Sequence, residues 1–461
     1  MAQIPYVFDN LYFLTTCSVA VTLLISFRLY PIIIYVVNRK GLMDDPEERS
    51  AHTNKVPTLG GMGLFIVFSL TVMLLGVLAD LSRPELLQLV SLLAGTLLLL
   101  IMGVKDDLVL MSPKKKLIGQ LLAASMVIFL SDVRIAHFQG LLGIGELPYW
   151  VSVFFTFFVF ILVINAVNLI DGIDGLAGSI AIISSVTFGI FFLLNEQYLL
   201  SLVSFALIGS VIGFLYYNLS NTQKLFMGDS GSLLIGFLLT YQGVAFLGVN
   251  ENALASLAVS NAPVLLLAVL SYPLLDTLRV FSIRVWQKRS PFSADRNHIH
   301  HRLLDLGNAH EQATLIICVC NIFVIGLVFL IGGLNINLQL IISVVIGSSL
   351  YLVPFLKVFD KQALYLPEKA KRIDVLNGEI KTTTEDQKPH SNVPETSGVV
   401  QMENATREKE PTPLDLSDPN PYFSGIKEFE KQKVLSKRLS DFKKSATIDF
   451  KKVGRSMRKQ S

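Results

Sequence analysis

The chain has 461 residues, 52% of them hydrophobic and 16% charged, where an ordinary soluble protein carries about 25% charged residues. Of its 39 Lys and Arg and 36 Asp and Glu, 37 lie from Lys357 onward, so the apolar remainder is too greasy for a soluble enzyme. The net charge of +3 says little about nucleic acid, and no nucleic-acid partner is expected.

Crossing a bilayer takes about 20 apolar residues at a rise of about 1.5 Å each. The pattern predicts an all-α, polytopic bundle of about eleven transmembrane helices, over 11–37, 59–79, 86–104, 117–131, 150–167, 176–194, 199–217, 232–249, 263–280, 313–333 and 338–355. Several such runs exclude a peripheral or lipid-anchored protein. The first lacks a basic leader and a small-residue cleavage site, so it reads as a retained span. An odd number of spans puts the termini on opposite sides. The connections after odd spans carry Arg39, Lys40, Lys105, Lys114, Lys115, Lys116, Lys224, Lys288 and Arg289, among others. The even ones carry only Arg83 and Arg134. The positive-inside rule then places the N-terminus outside and the C-terminus in the cytoplasm.

Cys17, Cys318 and Cys320 all sit in apolar runs, which suits reduced thiols and no disulfide framework. Residues 132–148 alternate Gly with apolar residues, as a short hairpin lying on the membrane would. The membrane domain is expected over 1–357. A polar tail follows over 358–461, disordered at first, with a basic end whose Phe429, Val434, Leu435, Leu439 and Phe442 recur at near-helical spacing.

Four polar clusters interrupt the apolar pattern: VKDDLVLMSPKKKLIGQ, NAVNLIDGIDGLAGS, YYNLSNTQKLFMGDSGS and SADRNHIHHRL. Each follows an odd span, so all four face one compartment, and ionisable groups at membrane ends are a functional hypothesis by default. Asp106 and Asp107 could serve as a base, a metal ligand or a charged cap. Asp171 and Asp174 fall three apart, on one face if a helix begins there, with Asn165 and Asn168 adding neutral oxygen donors. N-terminal capping explains one such Asp but not the whole set. Asp229, between glycines ahead of a span, is the first choice for a magnesium ligand. The string GDSG alone is a poor case for a serine hydrolase. His298, His300 and His301, flanked by Arg296 and Arg302, suit phosphate oxygens better than zinc. Together these groups suit magnesium-assisted chemistry on a polyphosphate.

Over about Gly41 to Gln312 the motifs HTNKVPTLGG, DD followed by SPKKK, NAVNLIDGIDG, FMGDSGS and DRNHIHHRL occur in order. In this the chain resembles the polyprenyl-phosphate N-acetylhexosamine-1-phosphate transferases (glycosyltransferase family 4), most of all the undecaprenyl-phosphate N-acetylglucosamine-1-phosphate transferase branch. The resemblance implies transfer of a sugar-1-phosphate from a UDP-N-acetylhexosamine to a polyprenyl phosphate, with release of UMP. It places the enzyme in a bacterial inner membrane, its site on the cytoplasmic face, starting a cell-wall or lipopolysaccharide-type polymer. A homodimer is compatible with it.

Carried over by motif, Asp229 and Asn168 match the ligands of Mg2+, or of Mn2+ in its place. Asp106, Asp107, Asp174 and His300 match catalytic positions. Lys55, Lys114, Lys116, Asn165, Asp171, Asn218, Phe226, Arg296, His298 and His301 match substrate-binding ones, Asn218 and Phe226 near uridine. NLSNTQK departs from the family by lacking its usual proline. The rival readings are a polytopic transporter, which would bind nearer the bilayer midplane, and a polyprenyl pyrophosphatase, which would release inorganic phosphate.

Overall fold

The computed structural model describes residues 10–40, 43–44, 56–79, 81–290, 297–356, 375–376 and 379–380. The body over Met1–Leu366 is one compact unit, and its described part is helical. In chain order come α1 (Leu11–Lys40), α2 (Gly60–Leu78), α3 (Arg83–Leu108), α4 (Pro113–Ser131), α5 (Tyr149–Ile170), α6 (Leu176–Leu194), α7 (Tyr198–Asn218) and α8 (Gly228–Glu251). Then follow α9 (Ala262–Val269), α10 (Ser271–Trp286), the short α11 (Ile299–Asp305), α12 (His310–Leu330) and α13 (Ile336–Leu356). Met43–Asp44 pairs antiparallel with Val56–Pro57. In the separate unit Pro367–Ser461, Val375–Leu376 pairs with Glu379–Ile380. These two-residue strands leave the all-α class unchanged. The basic end expected of the tail lies outside the described residues.

Local sequence sets the helix starts. Before α3, the Glu85 carboxylate accepts both the backbone N–H (2.9 Å) and the hydroxyl (2.6 Å) of Ser82, and Pro84 sits where no intrahelical donor is needed. Before α6, Gly175 adopts φ +78°, a left-handed turn that lets the chain reverse from α5 within five residues, 171–175. The hairpin expected over 132–148 forms, closed by Phe138 N–H to Gly145 O (2.9 Å) and Leu147 N–H to Ala136 O (2.8 Å).

Helix α8 is the centre of the bundle, packed against α2, α3, α5, α6, α7 and α9. Its neighbours approach closely because a Cβ is missing at each crossing. A methyl on Gly61 would strike the backbone of Gly231, one on Gly103 that of Ser230, and one on Gly236 that of Ile164. In a bilayer, where lipid tails are as apolar as Leu, such contact is a main source of helix association. Large apolar side chains such as Leu24, Ile32, Leu70, Val90, Phe154 and Ile341 stay exposed on the outer helices, as a lipid-facing surface requires.

Among the described residues, nine helices are long and apolar enough to cross a membrane, or up to ten if the bent pair α9 and α10 is one span. The expected eleven are thus matched only as a multi-pass bundle. Helix α4 falls short because Lys114, Lys115 and Lys116 occupy its first turn. The run 263–280, expected as one span, is broken at Leu270 with a bend of 71°. Asn321 of α12 supports the break: its amide donates to Ala268 O (3.2 Å), Val269 O (3.3 Å) and Ser271 Oγ (3.0 Å). Carbonyls freed within a membrane need such partners.

Candidate active site

The polar clusters meet at one end of the bundle. Asp106 and Asp107 from α3, Asn168 from α5, Asp171 and Asp174 from the turn before α6, Phe226 and Asp229 at the start of α8, and His301 and His310 line one cavity of about 460 Å³. Thr58, from the described end of HTNKVPTLGG, joins them. Segments up to about 250 residues apart in sequence therefore share a single space.

Asp229 enters the cavity on the first turn of α8, where Gly228 turns the chain at φ +69°. The Asp107 carboxylate fills the helix start, accepting the N–H of Asp229 (2.7 Å) and of Ser230 (3.2 Å). This is an N-cap supplied by a neighbouring helix, satisfying two donors that the helix cannot satisfy itself. Asp229 Oδ1 accepts from the Asn168 amide (2.7 Å), which also donates to Ser232 Oγ (2.8 Å). Its Oδ2 pairs with the Lys116 ammonium (2.7 Å). Lys116 also pairs with Asp106, and the other oxygen of Asp106 accepts the Met111 N–H (2.6 Å).

Across the cavity, Asp174 Oδ2 is held by Lys224 Nζ (2.7 Å) and His310 Nδ1 (2.9 Å). Burial pushes the Asp174 carboxyl up, but the His310 and Lys224 partners outweigh it and hold it below the usual range. Asp171 has no such partners among the described residues. Burial, then the facing charges of Asp229, Asp107 and Asp174, push it up to about 8. Asn218 does not face outward as a free amide. It accepts the Gly175 N–H (2.8 Å) and donates to Leu225 O (3.0 Å), tying the turn before α6 to the strand of chain that carries Phe226.

The three histidines do different work. His298 is buried with its Nδ1 against Asp276 Oδ2 (2.7 Å). His300 is buried, with Tyr272 Oη at 3.4 Å on one side and Gly172 on the other. Burial, then the His301 imidazole beside it, push His300 down to about 3, so it is neutral. His301 lines the cavity. His300 thus buttresses the turn bearing Asp171 and Asp174 from behind, without lining the cavity.

Among the other expected site residues, Asn165 pairs with Gln120 (2.8 Å), fastening α4 to α5, and Lys114 is exposed. Lys55 and Arg296 lie outside the described residues. Sequence reading missed His310, Lys224 and Asp276. His310 is an isolated histidine ahead of an apolar run, and Asp276 falls inside an expected span, so neither carried a motif; Lys224 lay within a cluster but was passed over beside Asn218 and Phe226.

No three metal-type side chains surround a single point among the described residues. The donor set is nonetheless hard oxygen, with the carboxylates of Asp106, Asp107, Asp171, Asp174 and Asp229 gathered around the ammonium groups of Lys116 and Lys224. That fits Mg2+ or Mn2+ held by one or two carboxylates together with substrate phosphates. Asp229 would hold it, and Asn168 would offer its oxygen if its amide turned over.

Residues 89–247 match the family model described as glycosyl transferase family 4. The chain is 35% identical over 315 residues, 65% of its length and 82% of the relative's, to an undecaprenyl-phosphate alpha-N-acetylglucosaminyl 1-phosphate transferase of Haemophilus influenzae. It is 31% identical over 296 residues, 60% of its length and 72% of the relative's, to a decaprenyl-phosphate N-acetylglucosaminephosphotransferase of Mycolicibacterium smegmatis. A probable undecaprenyl-phosphate N-acetylglucosaminyl 1-phosphate transferase of Bacillus subtilis is 29% identical over 342 residues, 74% of this chain and 88% of the relative. With a shared cavity built from the motifs of that group, the chain belongs to glycosyl transferase family 4, in the branch of these polyprenyl-phosphate transferases.

Proposed function

We propose that this protein transfers N-acetylglucosamine-1-phosphate from its UDP-sugar to undecaprenyl phosphate, releasing UMP and opening the synthesis of a bacterial envelope polysaccharide. The observation that carries the reading is the single cavity joining Asp106, Asp107, Asp171, Asp174 and Asp229 with His301 and His310. Eleven crossings, with α4 as one and α9 with α10 as another, would put this cavity at the cytoplasmic face of the inner membrane. The basic residues clustered at the same end favour that orientation.

In this reading Phe226 offers an aromatic face to the uracil, and Lys224, 5.9 Å from its ring centre, stands beside it. His301 and His310 meet the diphosphate. The lipid phosphate approaches between α3 and α4, toward Lys116. Mg2+ bound at Asp229 would neutralise the diphosphate and the departing UMP. A phosphomonoester has its second pKa near about 6, so at neutral pH the attacking oxygen is already largely ionised. A general base is then unnecessary. Asp107, with both oxygens on backbone N–H groups, and Asp106, held by Met111 and Lys116, serve as positioning groups.

Purified protein in detergent, given UDP-N-acetylglucosamine, Mg2+ and undecaprenyl phosphate, should release UMP, and chelation of the metal should stop it. Asp229→Asn should abolish release from folded protein. Release of inorganic phosphate from undecaprenyl pyrophosphate would favour a pyrophosphatase, and uptake into proteoliposomes without turnover a transporter.

A further inference from the structure

A lysine stands against two carboxylates of the cavity lining, where a divalent cation would be expected. Lys116 Nζ lies 2.7 Å from Asp229 Oδ2 and bridges to Asp106 on the other side. Asp106 is almost fully buried, 4% exposed, so a cation beside it offsets a large desolvation cost. The remaining oxygen of Asp229 is taken by the Asn168 amide. Both oxygens of Asp229 are therefore occupied by donors from this chain.

A Mg2+ ion binds carboxylate oxygen at about 2.0–2.1 Å. At Asp229 Oδ2 it would share one carboxylate oxygen with the ammonium, and the two like charges would repel strongly at such a separation. Ion binding and the Lys116–Asp229 contact therefore compete for one carboxylate. Lysine suits an exchange of this kind, because its ammonium is a compact charge on a flexible four-carbon stem. Its side chain remains 28% exposed, with room to swing. Lys116, on the first turn of α4, reaches two residues of the cavity lining, so a released ammonium would stay within reach of an incoming phosphate.

We infer that Lys116 is an internal cation latch: it occupies Asp229 in the metal-free protein, and a divalent ion displaces it, freeing the ammonium for a phosphomonoester at the cavity. This rests on Asp229 as the ion's ligand, and it goes further by making metal loading the event that readies the second substrate's site. The coupling runs through one side chain and needs no rearrangement of helices.

The test is Mn2+ binding to the full-length protein in detergent, without substrates, followed by electron paramagnetic resonance. Lys116→Gln should bind Mn2+ about tenfold or more tightly than the unaltered protein, since the competing charge is gone. Lys115→Gln removes an exposed charge one residue away and should change affinity less than about twofold, because solvent screens it. Lys116→Arg, which keeps the pair and the charge, should bind no better than the unaltered protein. Lys116→Met serves as a second neutral variant should Lys116→Gln fail to fold. Equal affinity in the neutral variants and the unaltered protein, or an equal gain from Lys115→Gln, would overturn the latch. Asp229→Asn separates the two proposals: if it leaves Mn2+ binding intact, the ion's assignment fails and the latch falls with it. If it abolishes binding while the Lys116 variants show no gain, the latch alone fails.

Discussion

Asp107, on the last turn of α3, accepts the backbone N–H of Asp229 on the first turn of α8, with 2.7 Å between oxygen and nitrogen. One acidic residue thereby sets the position of another 122 places further along the chain. Asp107→Ala should lower unfolding stability by about 1–2 kcal/mol through loss of the cap, and should cut UMP release by about 100-fold through displacement of Asp229. Asp107→Asn keeps one acceptor and should retain more of both. Thermal unfolding and UMP release, measured on the two variants, decide between positioning and base catalysis. An equal loss of activity in both, with stability kept in Asp107→Asn, would make the carboxylate a base.

The Asp171 carboxyl, pushed up to about 8 from an ordinary 3.8, gives the metal-free protein a defined pH response. Its folded value lies above its unfolded one, so its contribution favours folding most below about pH 4 and is lost as pH rises toward about 8. Metal-free protein should therefore become easier to unfold across that window, and Asp171→Asn should flatten the slope. A divalent ion nearby favours the ionised form, so ion binding at neutral pH should release protons. Calorimetry of Mn2+ binding in buffers of different ionisation enthalpy measures that release. A slope unchanged in Asp171→Asn would contradict the assignment.

Asp276 on α10 anchors the histidine segment. One oxygen meets His298 Nδ1 at 2.7 Å, and the other accepts the N–H of Ile299, the first residue of α11, at 3.0 Å. Asp276→Ala leaves these buried donors unmatched, at a cost of about 1–3 kcal/mol each. With α11 loosened, His301 should leave the cavity, raising KM for the UDP-sugar more than it lowers kcat. Asp276→Asn, which retains acceptor capacity, should recover part of the affinity. Steady-state kinetics at several UDP-sugar concentrations provide the comparison.

Gly103→Ala tests the close crossing that aligns α3 with α8. The added methyl would meet the backbone of Ser230 and Asp229, which cannot swing aside as a side chain can. A destabilisation of about 1–3 kcal/mol is expected, together with loss of activity as Asp106 and Asp107 move. Gly248→Ala on the same central helix meets nothing within 4 Å and should be silent in both measurements.

The amino-acid sequence alone determined that this is a multi-pass helical protein, and it pointed to its acidic, amide and imidazole clusters acting together. Hydrocarbon thickness and the alternation of spans are one-dimensional constraints, readable from spacing. It did not reveal the break at Leu270, because the carbonyls freed there are satisfied by Asn321, some fifty residues later. Nor did it separate the roles within DD or HIHH, where neighbours of identical chemistry diverge. Asp107 caps α8 while Asp106 holds Lys116; His301 reaches the cavity while His300 lies buried against Gly172. Adjacent residues point in different directions, and only the packing of distant helices decides which of them meets a backbone, a lysine or open space. For the same reason His310, Lys224 and Asp276 gained their partners only once the chain had folded.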